Sequence, residues 1–517
     1  METAKTVIFG NTDATGRAAR ELLQNGDAVI VATSQPEVNF DPEAAELLLG
    51  VTLDKLKVTP QGYHLIFAKG MQSITRKATR IVLCDDYLRQ PEFARYGLTA
   101  CDRVVSLSEI AADPEKHAPE NGSVVFLTGI FRESNPLILR EILESAIGLA
   151  NGHKQNVYIL TGNLKVAGQG LEALYREAKR AGVTLIKFNQ EKPVIEQAEN
   201  YGVTITFKDE ITGHHFRLSP GLTIVDEILS ASETTAKTAE MLSIHQDPQG
   251  FAQTGNVHRI PISTNRRGVY AAGPSREALS FEYQGMDIAN VSLSLAIESN
   301  NNAVPKSAYA EIDPGQCVRC LTCYRICPHG AITIDGRRIQ VEQSTCEGCG
   351  ICFAECPKCA IRMDGQVVCT PAQQIETQGS VKDVKPSAPT IFAFCCTRSA
   401  VQAARLASSM GRSRPEGLRM IEVPCSGMIS AGCLMSAFQN GADGVLVLTC
   451  HEGNCHAEHG NRYAHQRTNY VADLLGQIGL EKDRLLKSTL AANMGFEFSD
   501  IVNNFADTLK QMGCLRR

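Results

Sequence analysis

Eight cysteines in two matching runs constrain this chain more than anything else in it. "CVRCLTCYRICP" (317–328) and "CEGCGICFAECP" (346–357) each read C-x2-C-x2-C-x3-C-P. Three thiolates at this spacing can take three corners of one iron–sulfur cubane. The fourth, followed by proline, faces away and completes the cubane of the other half. The crossing assigns Cys317, Cys320, Cys323 and Cys356 to one [4Fe–4S] cluster, and Cys346, Cys349, Cys352 and Cys327 to a second. Zinc also takes four thiolates at C-x2-C intervals, but a zinc site does not call for the third cysteine, the Cys-Pro or the faithful repeat. The pattern therefore predicts a bacterial two-cluster ferredoxin domain over 310–365, with "AITIDGRRIQVEQ" (331–343) as a hairpin between the halves. Cys359 and Cys369 are read as structural.

The remaining cysteines point the same way. Of 19, two (Cys84 and Cys101) precede residue 317 and seventeen follow. A disulfide framework suits small exported domains, and "METAKTVIFG" runs directly into a short strand without the apolar core of a signal peptide. No apolar run approaches the roughly 18 residues of a membrane span. A net charge of −5 without a basic stripe does not point to nucleic acid. The expectation is a cytoplasmic protein with no direct membrane span, able to reach a membrane only through a partner.

At 517 residues the chain has room for several domains. Strand and helix signals alternate from the N-terminus: "TVIFG", "TGRAARELLQNG", "DAVIVAT", "RIVLCDD", "SVVFLTG", the helix "NPLILREILESAIGLA", "NVYILTGN", "GLEALYREAKRAG" and "VTLIKF". This order predicts parallel sheets covered by helices, with an inner α/β unit at about 120–220 and a hairpin within 202–221. A dinucleotide site of the usual kind needs G-x-G-x-x-G after the first strand. Here "VIFGNTDATGRAA" keeps Gly10 but places Thr12 and Thr15 at the next two glycine positions, and no acidic residue closes "VIVATSQ".

Beyond the ferredoxin runs, the polar stretch 366–389 with its prolines reads as a linker, and 390–517 as a second, smaller α/β domain. Cys395 and Cys396 close its first strand, Cys425 its second and Cys450 its third, and Cys455 follows in a loop. Ligands of open α/β sheets gather at such strand ends. Four thiolates there suit either a [2Fe–2S] cluster or zinc. His451, His456 and His459 open a Rieske-type alternative, with hydrogen bonding around the cluster or surface roles as the plainer readings.

Two resemblances sharpen these readings. "FAFCCTRSA…VPCSGMIS…AFQNGADGVLVLTCHEGNCHAEHGN" closely resembles the delta subunit of methyl-viologen-reducing hydrogenase. That resemblance implies a [2Fe–2S] cluster on Cys396, Cys425, Cys450 and Cys455, with Cys395 competing for the first place and Cys433 left out. "YGLTACDRVVSLSEI", "VVFLTGIF", "VYILTGNLKVAGQGLEALYREAKRAGVTLIKF" and "RRGVYAAGP…GMDIANVSLSLAIE" resemble the A subunit of heterodisulfide reductase and the B subunit of the quinone-interacting membrane-bound oxidoreductase. They imply a thioredoxin-reductase-like flavoprotein fold over 1–309, with FAD contacted at Gly10 and Gly273. The alternative is the same fold kept as a scaffold without its flavin. The expected function is an electron-transfer subunit of a multi-subunit redox complex. Its partners would be a related flavoprotein and heterodisulfide-reductase-type or quinone-interacting subunits. A self-contained NAD(P)H-dependent reductase is the rival and lacks its nucleotide fingerprint.

Overall fold

The computed structural model describes residues 5–515 except 60–61, 118–121, 154, 165, 167, 200, 253–259, 267, 279, 301–308, 343–344, 365–373 and 376–387. Most of the span read as a linker, and Cys369 with it, lies outside the described residues.

Apolar strands without internal polar breaks demand cover on both faces, and the N-terminal region answers with two nested α/β units. In the outer unit the strand Lys5–Phe9 is central. It pairs in parallel with Ala28–Thr33 on one side and Arg80–Leu83 on the other; Glu46–Leu49 and Val269–Ala271 form the edges. An antiparallel meander, Thr52–Thr59, Gly62–Lys69 and Gln72–Ala78, packs on it. The inner unit repeats the plan. Its parallel strands run Thr184–Lys187, Asn156–Thr161, Ser123–Thr128, Leu222–Val225 and Val104–Ser106, beside a second three-stranded antiparallel sheet. Within that sheet, Val203–Lys208 and His215–Leu218 make the expected hairpin. The inner unit extends past its predicted limits, because Val104–Ser106 adds an edge strand before residue 120. Tyr87–Pro91 pairs with Glu227–Ala231 and carries the chain in and out of the inner unit. The two nested α/β units, each with its own antiparallel meander, are the architecture that the sequence resemblance leads one to expect.

The ferredoxin unit closes on itself through Tyr309–Ile312 against Ile361–Asp364, and its hairpin is Ile332–Asp335 with Arg338–Val341. Its two halves share a backbone signature. Positive φ falls at Arg319 and Leu321 in the first run and at the equivalent Gly348 and Gly350 in the second. These left-handed steps punctuate the cysteine spacing and swing successive thiols to one side; the first run adopts them without glycine.

The C-terminal unit is a four-stranded parallel sheet in the order Leu418–Val423, Ile391–Cys396, Gly444–Thr449, Leu485–Thr489. Helices cover both faces, and the sheet separates two apolar cores. Within the span read as linker, the Gln374 side chain bonds to the Glu422 backbone amide and carbonyl, and Ile375 is fully buried in one of those cores. That part of the segment caps an edge strand. Among the described residues no helix is long and apolar enough to cross a membrane.

Candidate functional site

The eight ferredoxin cysteines separate into two groups. Cys317, Cys320, Cys323 and Cys356 line one cavity of ≈ 370 Å³ with Ile312, Leu321 and Ile361. Cys327, Cys346, Cys349 and Cys352 line another of ≈ 340 Å³ with Ala331, Ile332 and Ile351. These are the two crossed sets read from the sequence. Backbone amides turn toward the sulfurs: Ala310 N–H to Cys346 Sγ at 3.5 Å, Ala360 N–H to Cys356 Sγ at 3.3 Å, and His329 and Ala331 N–H to Cys327. Such N–H···S bonds favour the thiolate. Burial acts against them, pushing Cys349 and Cys352 far above the ordinary thiol range, with neighbouring thiols adding to it. Exposed Cys320 goes the other way, lowered by the Thr322 hydroxyl and amide. The buried set therefore ionises only against strong positive charge, which iron supplies. The donor sets fit cubanes. Among the described residues no three His, Cys, Asp or Glu converge on a single metal ion; a cubane holds its thiolates around a wider core.

A third thiol group stands at the carboxyl edge of the C-terminal sheet. The parallel register ends Ile391–Cys396 and Gly444–Thr449 on one side, which brings Cys396 and Cys450 together; Cys425 and Cys455 arrive from the following loops. The thiols touch in sequence: Cys396 with Cys450, Cys450 with Cys455, Cys455 with Cys425. Cys396 is held below the ordinary thiol range, to about 6, chiefly by its hydrogen bond with Cys450. Cys395, one residue earlier, points to the opposite face, where its thiol meets the Ala393 carbonyl and the helical core. Cys433 lies in the other core with its sulfur against Ser430 Oγ. His451 is bonded to Thr489 Oγ1 at 2.8 Å and to Met494 Sδ at 3.3 Å. His456 stands against His329 of the ferredoxin unit, ring centroids 6.4 Å apart, and His459 precedes the helix Gly460–Gln477.

Three residues that sequence reasoning passes over shape this edge. A Cβ on Gly460 would stand 2.3 Å from Cys425 Sγ and 3.4 Å from Cys455 Sγ, so only glycine fits. Asn461 donates to the carbonyls of Cys450 and His451, fixing the loop between them. Arg467 donates to Glu355 of the ferredoxin unit at 2.7 Å and to the Gly427 carbonyl at 3.0 Å. Gly460 lies inside "CHEGNCHAEHGN", where the cysteines and histidines draw the eye from it; Arg467 finds its partner only in three dimensions.

The cleft of the outer α/β unit is present, ≈ 1390 Å³ at the carboxyl end of the sheet. Its diphosphate end has different chemistry from a dinucleotide site. Gly10 is fixed by packing, since a Cβ there would meet the Cys84 carbonyl at 2.2 Å. Thr12 and Thr15 form a capping box, each hydroxyl accepting the other's amide at 3.1 Å, so two of the amides at the helix start are satisfied internally. Asp13 stands in the first turn. Glu37, Asp85, Asp86 and Glu233 line the cleft, with Lys237 the one basic residue among the described ones in its lining. The Gly273 amide is already bonded to Asp287 at 3.0 Å. The threonines in place of glycines and the acidic lining set this end apart from a glycine-rich diphosphate cradle. In the inner unit, the loop after Ser123–Thr128 is tied by Asp226 to the Gly129 amide and capped by Asn135, again without a glycine-rich cradle.

Residues 391–513 match the family model of the methyl-viologen-reducing hydrogenase delta subunit, and residues 309–381 match a 4Fe-4S dicluster domain. Over 359 residues the chain is 29% identical to the A subunit of the Ferredoxin/F(420)H(2)-dependent CoB-CoM heterodisulfide reductase of Methanosarcina acetivorans, covering 68% of this chain and 44% of that one. The chain thus spans less than half the length of that relative. It is 34% identical over 125 residues to the iron-sulfur D subunit of the F420-non-reducing hydrogenase of Archaeoglobus profundus, 24% of this chain and 91% of the relative. Among solved structures, the T. acidophilum thioredoxin reductase aligns with a TM-score of 0.40 and 16% identity, over 57% of this chain and 98% of its own.

Proposed function

Because this chain belongs, through residues 391–513, to the methyl-viologen-reducing hydrogenase delta-subunit family, joined to a heterodisulfide-reductase-A-like region, we propose that it relays single electrons between partner subunits of a redox complex. The relay uses two [4Fe–4S] clusters, on Cys317, Cys320, Cys323 and Cys356 and on Cys327, Cys346, Cys349 and Cys352. A [2Fe–2S] cluster on Cys396, Cys425, Cys450 and Cys455 completes it. The domain limits are those read from the sequence: 1–309, 310–365 and 390–517, with 366–389 between. One observation carries the reading. The three thiol groups adjoin in order: Cys323 lies within electrostatic range of Cys352, and Cys349 within that of Cys425 and Cys455. Iron–sulfur clusters supply one-electron chemistry; the chain's own residues hold them in line, exclude water from the inner two and leave the first at the surface, where Cys320 is exposed.

Partners are a flavoprotein that collects or splits electron pairs and a heterodisulfide-reductase-type or quinone-interacting subunit, within a cytoplasmic complex that reaches a membrane only through a partner. The test is anaerobic purification of the full chain with iron, acid-labile sulfide and zinc counted. The relay requires roughly ten iron atoms per chain. A count near eight removes the binuclear cluster, and zinc without sulfide rejects the relay. NADH oxidation by the chain alone would favour the self-contained reductase instead.

A further inference from the structure

Arg266 is a residue of the flavoprotein-type region that ends up inside the ferredoxin. It is 8% exposed. Its Nη1 donates to the Gly330 carbonyl at 2.8 Å, its Nε donates to the Leu242 carbonyl, and its backbone amide is held by Thr264 Oγ1. Neighbouring Asn265 donates to the Pro328 carbonyl at 3.3 Å. The two side chains therefore grip the turn Cys327–Gly330, which carries the cysteine that crosses between the ferredoxin halves. The fit is close: a Cβ on Gly330 would overlap the guanidinium at 2.5 Å. The hydrogen-bond partners of the Arg266 side chain are neutral carbonyls, and a guanidinium taken out of water needs opposite charge to offset its desolvation. Cys327 and the buried Glu342 lie within electrostatic range to supply it. A cubane on four thiolates is itself anionic and gains a further negative charge when reduced.

We propose that Arg266 raises the reduction potential of the cubane on Cys327, Cys346, Cys349 and Cys352 above that of its neighbour. A fixed cation in a low-dielectric surround stabilises the more negative, reduced cluster. Among the described residues the other cubane has no equivalent. Arg319, Arg325 and Lys358 around it are exposed, and water and salt screen them. The asymmetry draws the electron to the cubane that adjoins the C-terminal thiols. It also gives the flavoprotein-type region a task that needs no flavin of its own: that region supplies the charge. This inference rests on the ligand sets proposed above.

The test is a reductive titration of the full anaerobic chain followed by electron paramagnetic resonance, with iron and sulfide counted in each sample. In Arg266→Gln, one cubane couple falls, its reduction made about tenfold less favourable, equivalent to about 59 mV for one electron; the other couple does not move. Arg266→Lys, which keeps the charge, holds the potential, and so does Asn265→Ala, which removes only a neutral donor to the same turn. The proposal is overturned if both couples stay put in an Arg266→Gln protein that retains its iron. It is equally overturned if Arg266→Lys or Asn265→Ala shifts the couple as far, since the effect would then be one of position. If Arg266→Gln sheds iron, Arg266→Met takes its place: a lowered couple beside an unmoved one in Arg266→Lys supports the role of charge, and an unmoved couple in Arg266→Met rejects it. A parent chain lacking two cubane signals would instead remove the ligand assignment, a distinct result.

Discussion

Cys349 of the ferredoxin unit and Cys455 of the C-terminal unit share one apolar cluster with Ile351, Cys425, Cys450 and Ala457. The domain boundary thus runs through a group of thiols drawn from both units. The proposed relay would place two clusters on these cysteines, near enough for their unpaired spins to interact. In the fully reduced protein, one cubane should relax fast because of its binuclear neighbour. Cys450→Ser should lower the iron count from roughly ten to roughly eight and slow the relaxation of that cubane more than that of the other. Electron paramagnetic resonance power saturation reads this directly; unchanged saturation in both cubanes would separate the C-terminal thiols from the relay.

Gly460 gives a test that leaves every cysteine in place. Its missing side chain is the space occupied by Cys425 Sγ, 2.3 Å from where a Cβ would be. Gly460→Ala should displace that sulfur and cost the protein two of its irons while the cubane signals persist. Cys395→Ala is the matching control. Cys395 faces the helical core, so its loss should leave the iron count intact and cost about 1 kcal/mol of stability, typical of a small buried truncation. Iron counts reversed between these two variants would exchange Cys395 and Cys396 as ligands.

Arg467 should hold the two cluster-bearing units together. It bonds Glu355 across the boundary and carries the loop at Gly427 with it, while Gly350 packs on Met428 and Gly427 on Ile351. The side chains of Arg467 and Glu355 are 12% and 31% exposed, so solvent weakens the ion pair. Arg467→Met should cost about 1–2 kcal/mol, below the upper range for a charged hydrogen bond. Hydrogen exchange should quicken roughly tenfold at residues 350–355 and 426–429, and the strand Ile391–Cys396 should keep its protection.

How much of this could be read from the sequence follows from how local each signal is. The crossed cysteine sets are fixed by spacing along the chain, and the cavities group them as the spacing does. Cys396 needed the phase of its strand: adjacent residues face opposite sides, and cysteine at both positions hides which one looks toward Cys450. The meander over 52–78 was missed because its strands are half exposed and interrupted by charge, as in "TLDKLKVT". Arg266 and Arg467 carry no motif at all. Their meaning comes from a carbonyl and a carboxylate in another domain.

Asp226 introduces a pH dependence of its own. It closes the strand Leu222–Val225, accepting from the Gly129 amide at 2.9 Å and the Tyr96 hydroxyl at 3.1 Å. Burial is the largest cause that pushes its pKa up to about 6, from an ordinary 3.8. The folded state then binds this proton more tightly than the unfolded state does. Its contribution to stability is present below about pH 4 and is lost as pH rises to about 6, a change on the order of 3 kcal/mol. Urea unfolding of the parent chain and of Asp226→Asn at pH 5 and pH 7 should show the gap between them moving in favour of the variant at the higher pH. A pH-independent gap would mean that Asp226 is already charged at pH 5.

Extraction of the cofactor tests how well the acidic cleft of the outer α/β unit suits a flavin. A dinucleotide's diphosphate is normally met by free helix amides and a glycine-lined turn. Here Thr12 and Thr15 engage two of the amides at the helix start, Asp13 adds a negative charge there, and four carboxylates outnumber one lysine in the cleft. Each change alone weakens the hold on a dianion, and they act in the same direction. Full chain purified anaerobically and denatured in acid should release far less than one FAD per chain, and titration of the folded protein with FAD should give no saturable heat. Stoichiometric FAD would require the cleft to bind its ligand away from the helix N-terminus. In that case Thr12→Gly would leave the affinity unchanged, whereas a flavin held in the usual pose would bind more tightly once the threonine is gone.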